Sequence, residues 1–363
     1  MEAKKILSWT EKKALKRKRL EEKLDKDIKQ KKKRDQLVKV KEERVNSGDL
    51  NLSGSGRHYT ISLALPGSIL ENAQSRELRT YLAGQIARAA VVFNVDEIVI
   101  FDESGADLSE KDGYNNPRLK KGKGNVLLAR ILQFLECPQY LRKNFFPMHE
   151  DLKYAGLLNP LDSPHHMRAS DVVEYREGVV LDKPLKAGKS FVNVGLYQRD
   201  VLIDRQLEAG VRVTIQLDLN TADEKQLKGK VVSPSTPRIE SGLYWGYNLR
   251  LAANLSSVLT QCPHKGGYDL TIGTSERGDS IDEFESPTFK HGIIVFGGVQ
   301  GLETSLAADN TLNIDDPSLL FQHYLNTCPN QGSRTIRTEE AILITMSALR
   351  PKLISSGFKP EHS

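Results

Sequence analysis

The sequence predicts an α/β fold: a parallel sheet flanked by helices, with a small antiparallel β-barrel inserted and a basic extension in front. Three observations carry this. Strand and helix signals alternate between residues 59 and 135, six short strand signals with glycine turns crowd residues 177–251, and the positive charge gathers at one end. With 363 residues the chain is long enough for two or three domains. Its formal net charge of +5 is unevenly placed: residues 1–46 hold eighteen Lys and Arg against nine Asp and Glu, and the remainder holds 34 against 38. The basic character is a tail.

That tail comes first. Its densest runs, residues 12–19 and 29–34, have the lysine and arginine density of a nuclear import signal or of an arm that neutralises phosphates. Asn, Ser and Gly then mark a linker, so the extension and linker take up residues 1–56. Residues 59–65 read as a buried strand closed by Pro66-Gly67, Ser75 as the cap of a helix reaching Val92, and residues 95–102 as a second strand. The polar stretch through Lys123 reads as a mobile loop. Leu128, Ile131, Leu132 and Leu135 then give helical spacing over residues 125–135.

The alternation breaks near Met167. Six strand signals at 177–181, 190–195, 199–203, 211–217, 227–232 and 244–251 predict a barrel of the OB type over 168–251, splitting an α/β domain into 57–167 and 252–363. Tyr244, Trp245 and Tyr247 either fill that barrel or offer stacking surfaces to bases. The α/β pattern resumes with a helix near Ala253, strands at 268–273 and 291–296, and a last helix from Thr338 to about Leu349.

No run of eighteen apolar residues and no signal-peptide pattern is present, so a soluble, intracellular protein is expected. Cys137, Cys262 and Cys328 form no CxxC pair, and His165-His166 lack a third ligand at metal spacing; neither a disulfide framework nor a metal is expected. Chemistry concentrates instead in two glycine-studded turns, residues 295–303 and 326–340. Without Cβ, their main chain is free to approach a ligand closely, at the strand ends where open α/β sheets bind cofactors. Taken alone, Gly297-Gly298 is a tight turn and Thr338 a helix cap.

Gly273-Thr274-Ser275-Glu276-Arg277-Gly278, the 296–303 turn and Arg334-Thr335-Ile336-Arg337-Thr338-Glu339-Glu340-Ala341 together resemble the SPOUT, or trefoil-knot, class of S-adenosylmethionine-dependent RNA methyltransferases. Residues 59–348 are similar to its archaeal and eukaryotic subgroup, in which an OB-like barrel interrupts the knotted domain. The resemblance implies a trefoil knot, a bent S-adenosyl-L-methionine yielding S-adenosyl-L-homocysteine, and a homodimer with the target entering between subunits. It implies that Gly297, Gly298 and Gly301 approach the cofactor, that Asn326, Thr327, Gln331, Gly332, Ser333, Ile336 and Thr338 form the segment reading its adenine, and that Thr274 and Glu276 flank its methionine end. Arg88 matches the arginine of the first motif.

Arg277 is the second candidate for gripping phosphate, since the guanidinium fork suits that task. Glu276 is the candidate proton acceptor. Where the ribose-methylating branch has asparagine, six residues before the arginine, this chain has Leu82, which points to a base nitrogen of uridine type in a structured RNA such as rRNA. RNA is the expected partner, through barrel, dimer cleft and tail, with no membrane involved. A nuclear or nucleolar site is expected, with the cytoplasm or the spindle as further sites; the competing reading is a catalytically silent RNA-binding scaffold associated with the spindle.

Overall fold

A computed structural model describes residues 56–103, 117–171, 173–197, 199–221 and 226–360. The basic extension and most of the expected mobile loop lie outside the described residues. In chain order come β1 (Thr60–Pro66), α1 (Arg76–Val92), β2 (Glu97–Phe101), α2 (Pro117–Glu136) and α3 (Arg142–Phe145), then five strands, β3 (Tyr175–Val180), β4 (Phe191–Asn193), β5 (Val201–Ile203), β6 (Arg212–Leu217) and β7 (Leu227–Val232). The chain closes with α4 (Thr236–Ser241), β8 (Asn248–Ala252), α5 (Leu255–Thr260), β9 (Leu270–Ser280), β10 (His291–Val295), α6 (Gly301–Ala307), β11 (His323–Asn326) and α7 (Thr338–Ser356).

Six strands form one sheet in the order β11-β9-β10-β1-β2-β8, and every pairing in it is parallel. Parallel strands are covered on both faces, which is why β1 and β2 are buried along their whole lengths. Alternate residues serve opposite layers. Leu63, Ile98 and Ile100 pack with Ile86, Leu132 and Met346 of α1, α2 and α7, whereas Ala64, Val99 and Phe101 pack with Leu255, Leu302 and Leu306 of α5 and α6. Ser75 caps α1 as expected, its Oγ accepting the Leu78 N–H at 3.2 Å.

Three expectations are corrected. Residues 117–123, expected in a loop, belong to α2, whose first position is Pro117; proline fits there because that N–H has no helical partner anyway. The barrel closes as β3-β4-β5-β7-β6 and is mixed rather than antiparallel, because β5 and β7 run parallel. The strand signal at 244–251 does not join it: β8 pairs with β2 at the edge of the large sheet. Tyr244 and Tyr247 go with it into the main core, their hydroxyls donating to the Val95 and Leu132 carbonyls at 2.8 Å each. They are not stacking surfaces. The barrel fills its interior with aliphatic residues of its own, among them Val192, Val201, Ile215 and Leu227.

Buried polar groups dock barrel and sheet. Arg212 of β6 holds Glu136 of α2 through two bonds, 2.7 and 2.9 Å, and Glu177 of β3 through a third at 2.8 Å. Trp245 Nε1 donates to Glu177 at 2.6 Å, and His165 and His166 both bond the Glu136 carbonyl. His165 and His166 thus brace the end of α2, and the His165 ring also packs beside Trp245. Burial works to raise the Glu136 carboxyl, but hydrogen bonds from His165 and Arg212, together with the arginine charge, outweigh it and hold the group at about 2. Burial, aided by neighbouring His165, pushes His166 down to about 4.

Both shifts make the fold acid-sensitive. His166 is uncharged in the fold, so the unfolded chain takes up its proton first and stability falls from pH 6.5 toward 4. Glu136 contributes above its ordinary value of 4.5, and that contribution is lost as pH falls toward 2. Urea midpoints measured between pH 7.5 and 4.5 should fall once pH drops below about 6.5, and His166→Gln should flatten that first decline. A midpoint unchanged over this range would contradict the assignment.

Candidate active site

The C-terminal edge of the sheet brings three segments together. β10 ends at Val295 and the chain turns through Gly297 and Gly298 into α6, whose first residue, Gly301, has a φ of 77°. β9 runs on beyond Gly273, its last partner to β10, and carries Thr274, Glu276 and Arg277 over that turn as strand rather than as the expected loop. β11 ends at Asn326, and the following segment leads to α7, whose first residue, Thr338, bonds back to the Gly297 turn.

Between them lies a cavity of about 510 Å³, within the range of small-molecule sites. The structure brings Thr274, Gly297, Gly298, Gly301, Asn326, Thr327, Gln331, Ile336 and Thr338 to its wall, together with Glu276 and Arg277. Gly332 and Ser333 are exposed and stand outside it. Arg88 is not in this wall either. It lies on α1, donating to the Leu161 carbonyl at 2.5 Å and lining a separate recess between α1 and α7.

The polar side chains of the wall are largely committed to one another. Thr274 Oγ1 donates to the Val295 carbonyl at 3.0 Å, Asn326 Nδ2 to the Glu276 carbonyl at 3.0 Å, and Thr338 Oγ1 to the Gly297 carbonyl at 3.2 Å. Thr338 is therefore a staple between two turns and not the helix cap. The cap position is Arg337, whose N–H donates to Glu340 Oε2 at 3.0 Å. Thr327 and Thr345 share a hydroxyl contact of 2.7 Å that ties the last turn to α7.

With those side chains occupied, a ligand meets main chain. A Cβ on Gly297 would stand 2.6 Å from the Gly301 carbonyl carbon and 2.7 Å from the Leu302 nitrogen, so this turn closes on its own backbone where no side chain fits. The cavity wall includes main chain of this turn, and backbone N–H and C=O groups are what the ring edge of an adenosyl group takes. Glu303 and Thr345 also line the cavity and carried no signal of their own in the sequence. Glu303 sits in the first turn of α6 and meets Arg277 at 3.3 Å, a pairing across 26 residues that periodicity does not reveal.

A family model described as "Putative RNA methyltransferase" matches residues 60–349. The chain belongs to this RNA methyltransferase family. The chain is 58% identical over 310 residues to a 28S rRNA (uridine-N(3))-methyltransferase of Mus musculus, a match covering 85% of this chain and 80% of the relative. A protein of the same description from Homo sapiens is 59% identical over 304 residues, covering 83% and 81%. One from Drosophila melanogaster is 50% identical over 352 residues, covering 94% and 71%.

This SPOUT methyltransferase uses S-adenosyl-L-methionine, which supplies a methyl group already activated on a positively charged sulfur. The protein's own task is to align the acceptor with that methyl, exclude water and manage the acceptor's proton. A wall built from backbone at the Gly297 turn, with carboxylates and a guanidinium at its mouth, is suited to those tasks.

Proposed function

We propose that this methyltransferase acts on N3 of a uridine in large-subunit ribosomal RNA. Three relatives at 50–59% identity bear the name of that activity. The structural observation that carries the reading is the Glu276 carboxylate: it lies at the cavity wall and, among the described residues, has no ion pair or side-chain hydrogen bond. An imide N3–H must lose its proton for the nitrogen to attack a methyl carbon, and a carboxylate without other commitments can receive it.

In this reading Gly297, Gly298 and Gly301 cradle the cofactor, and the 326–338 segment holds its adenosyl end. Thr274 braces the methionine end. Arg277, 74% exposed on its side chain despite its contact with Glu303, grips a phosphate of the RNA. Residues 57–167, together with the chain from Tyr244 through β8 and onward, form the methyltransferase domain, while the barrel and the basic extension hold RNA away from the chemistry. The enzyme works as a homodimer in the nucleus or nucleolus.

The purified protein, given large-subunit rRNA and S-adenosylmethionine, should produce 3-methyluridine detected by mass spectrometry of the digested nucleosides. Glu276→Gln should lower kcat by about a hundredfold with unchanged cofactor affinity. A methyl group found on ribose or on another base would overturn the reading, as would full activity in the variant.

A further inference from the structure

Four charged residues stand in the wall of the cofactor cavity: Glu276, Arg277, Glu303 and Arg334. Two of them offset each other, since Arg277 Nη1 meets Glu303 Oε1 at 3.3 Å. The other two do not pair. Among the described residues the Glu276 carboxylate and the Arg334 guanidinium have neither an ion pair nor a side-chain hydrogen bond, with each other or with any other group. An exposed arginine without a partner is ordinary on a protein surface, where water serves it. Arg334 is set apart by its place, in a ligand cavity whose other uncommitted charge has the opposite sign.

The stretch of chain that carries Arg334 is braced from within. Gln331 Nε2 donates to the Ser333 carbonyl at 3.0 Å, and Ser333 Oγ donates to the Thr335 carbonyl at 2.8 Å. Glu276 is fixed through its own carbonyl, which accepts from Asn326 Nδ2 at 3.0 Å. Two held pieces of backbone thus present one free acceptor and one free cation to the same space. A uracil ring answers both. Its imide edge carries N3–H between two carbonyl oxygens, so a carboxylate can take the proton while a guanidinium donates to a neighbouring oxygen. An imide is a weaker acid than a carboxyl group, and transfer of its proton to Glu276 runs uphill unless the anion left behind is stabilised. The charge of that anion spreads from N3 onto the flanking oxygens, where a positioned cation lowers the barrier because it acts most strongly as the charge develops.

We propose that Arg334 is a catalytic residue whose guanidinium donates to a carbonyl oxygen beside N3 of the target uridine and stabilises the charge that develops there; this rests on the uridine reading given above. The N3 proton passes to Glu276, the N3 electron pair bonds the methyl carbon, and the electrons of the carbon–sulfur bond remain on sulfur. Glu276 then returns its proton to water. Arg277 serves a different end, since Glu303 already offsets its charge.

The full-length Arg334→Gln variant, assayed with a large-subunit rRNA transcript and S-adenosylmethionine, tests this. Its kcat should fall about a hundredfold or more, while its affinities for S-adenosylmethionine and for the transcript at matched salt stay within about twofold of wild type. Arg334 is exposed, so the substitution opens no core. Arg334→Lys, which keeps the charge without the fork, should recover part of the loss. A transcript made with 5-fluorouridine, whose fluorine makes N3–H more acidic, should raise the rate of the glutamine variant about tenfold and that of the wild type much less. Disturbed packing would not respond to substrate acidity, so equal responses of the two enzymes overturn the proposal. Cofactor affinity lost along with the rate would assign Arg334 to the methionine carboxylate, and weaker RNA binding with a shallower salt slope would assign it to a phosphate; either result overturns it too. A wild type that forms no 3-methyluridine removes the uridine reading and this one with it, whereas N3 methylation at full rate in Arg334→Gln removes only this one.

Discussion

Gly297→Val is expected to weaken S-adenosylmethionine binding at least a hundredfold in titration calorimetry, about 3 kcal/mol. The new Cβ would lie 2.6 Å from the carbonyl carbon of Gly301 and 2.7 Å from the nitrogen of Leu302. Both are backbone atoms, so the turn must open, and it is this turn whose carbonyl Thr338 holds at 3.2 Å. Its displacement moves two walls of the cavity together. Gly298 is more forgiving: its Cβ would meet the end of the Glu103 side chain at 2.7 Å, and a side-chain tip can swing aside. Gly332→Ala is the control, because nothing lies within 4 Å of its Cβ and it stands outside the wall. Should Gly332→Ala abolish binding while Gly297→Val retains it, the cofactor does not occupy this cavity.

Arg212→Met is expected to cost about 3–5 kcal/mol of stability at pH 7, read as a lower urea midpoint. The guanidinium makes three bonds to two carboxylates, and the side chains of Glu136 and Glu177 are only 11% and 4% exposed. Removing the cation leaves both charges buried. Glu177 retains Trp245 and Thr214 as donors, but neutral donors do not replace a charge. Arg212→Lys should recover only part of the loss, since an ammonium cannot hold Glu136 through two parallel bonds and reach Glu177 as well. A wild-type midpoint in the methionine variant would mean that barrel and sheet are held by apolar packing alone.

The sequence made β1, α1, β2, β10 and the barrel strands legible because their signals are local: apolar runs in strands buried on both faces, Ser75 at a helix start, glycine at turns. It also singled out three short segments, by their resemblance to those of one enzyme class, that the structure gathers around one cavity. What it misplaced was decided by pairing at long range. The aromatic run 244–247 ahead of β8 made the 244–251 stretch look like a barrel strand, yet β2 offered β8 an open parallel edge, and Tyr244 and Tyr247 found buried carbonyl acceptors in the main core. β9 was read short because Gly278 hides in its continuation, where β11 lies alongside through a register shift.

By itself the sequence determined the class of fold and the glycine-rich segments that line the cavity, since each depends on residue type at neighbouring positions. Tertiary structure alone decided that Arg88 sits outside that wall, that Arg277 meets Glu303, that Thr338 staples rather than caps, and that Oε2 of Glu339 is buried without a donor among the described residues. The physical reason is common to all four. A side chain's partner is chosen by which distant segments the sheet order brings within hydrogen-bond reach, and no local periodicity encodes that distance.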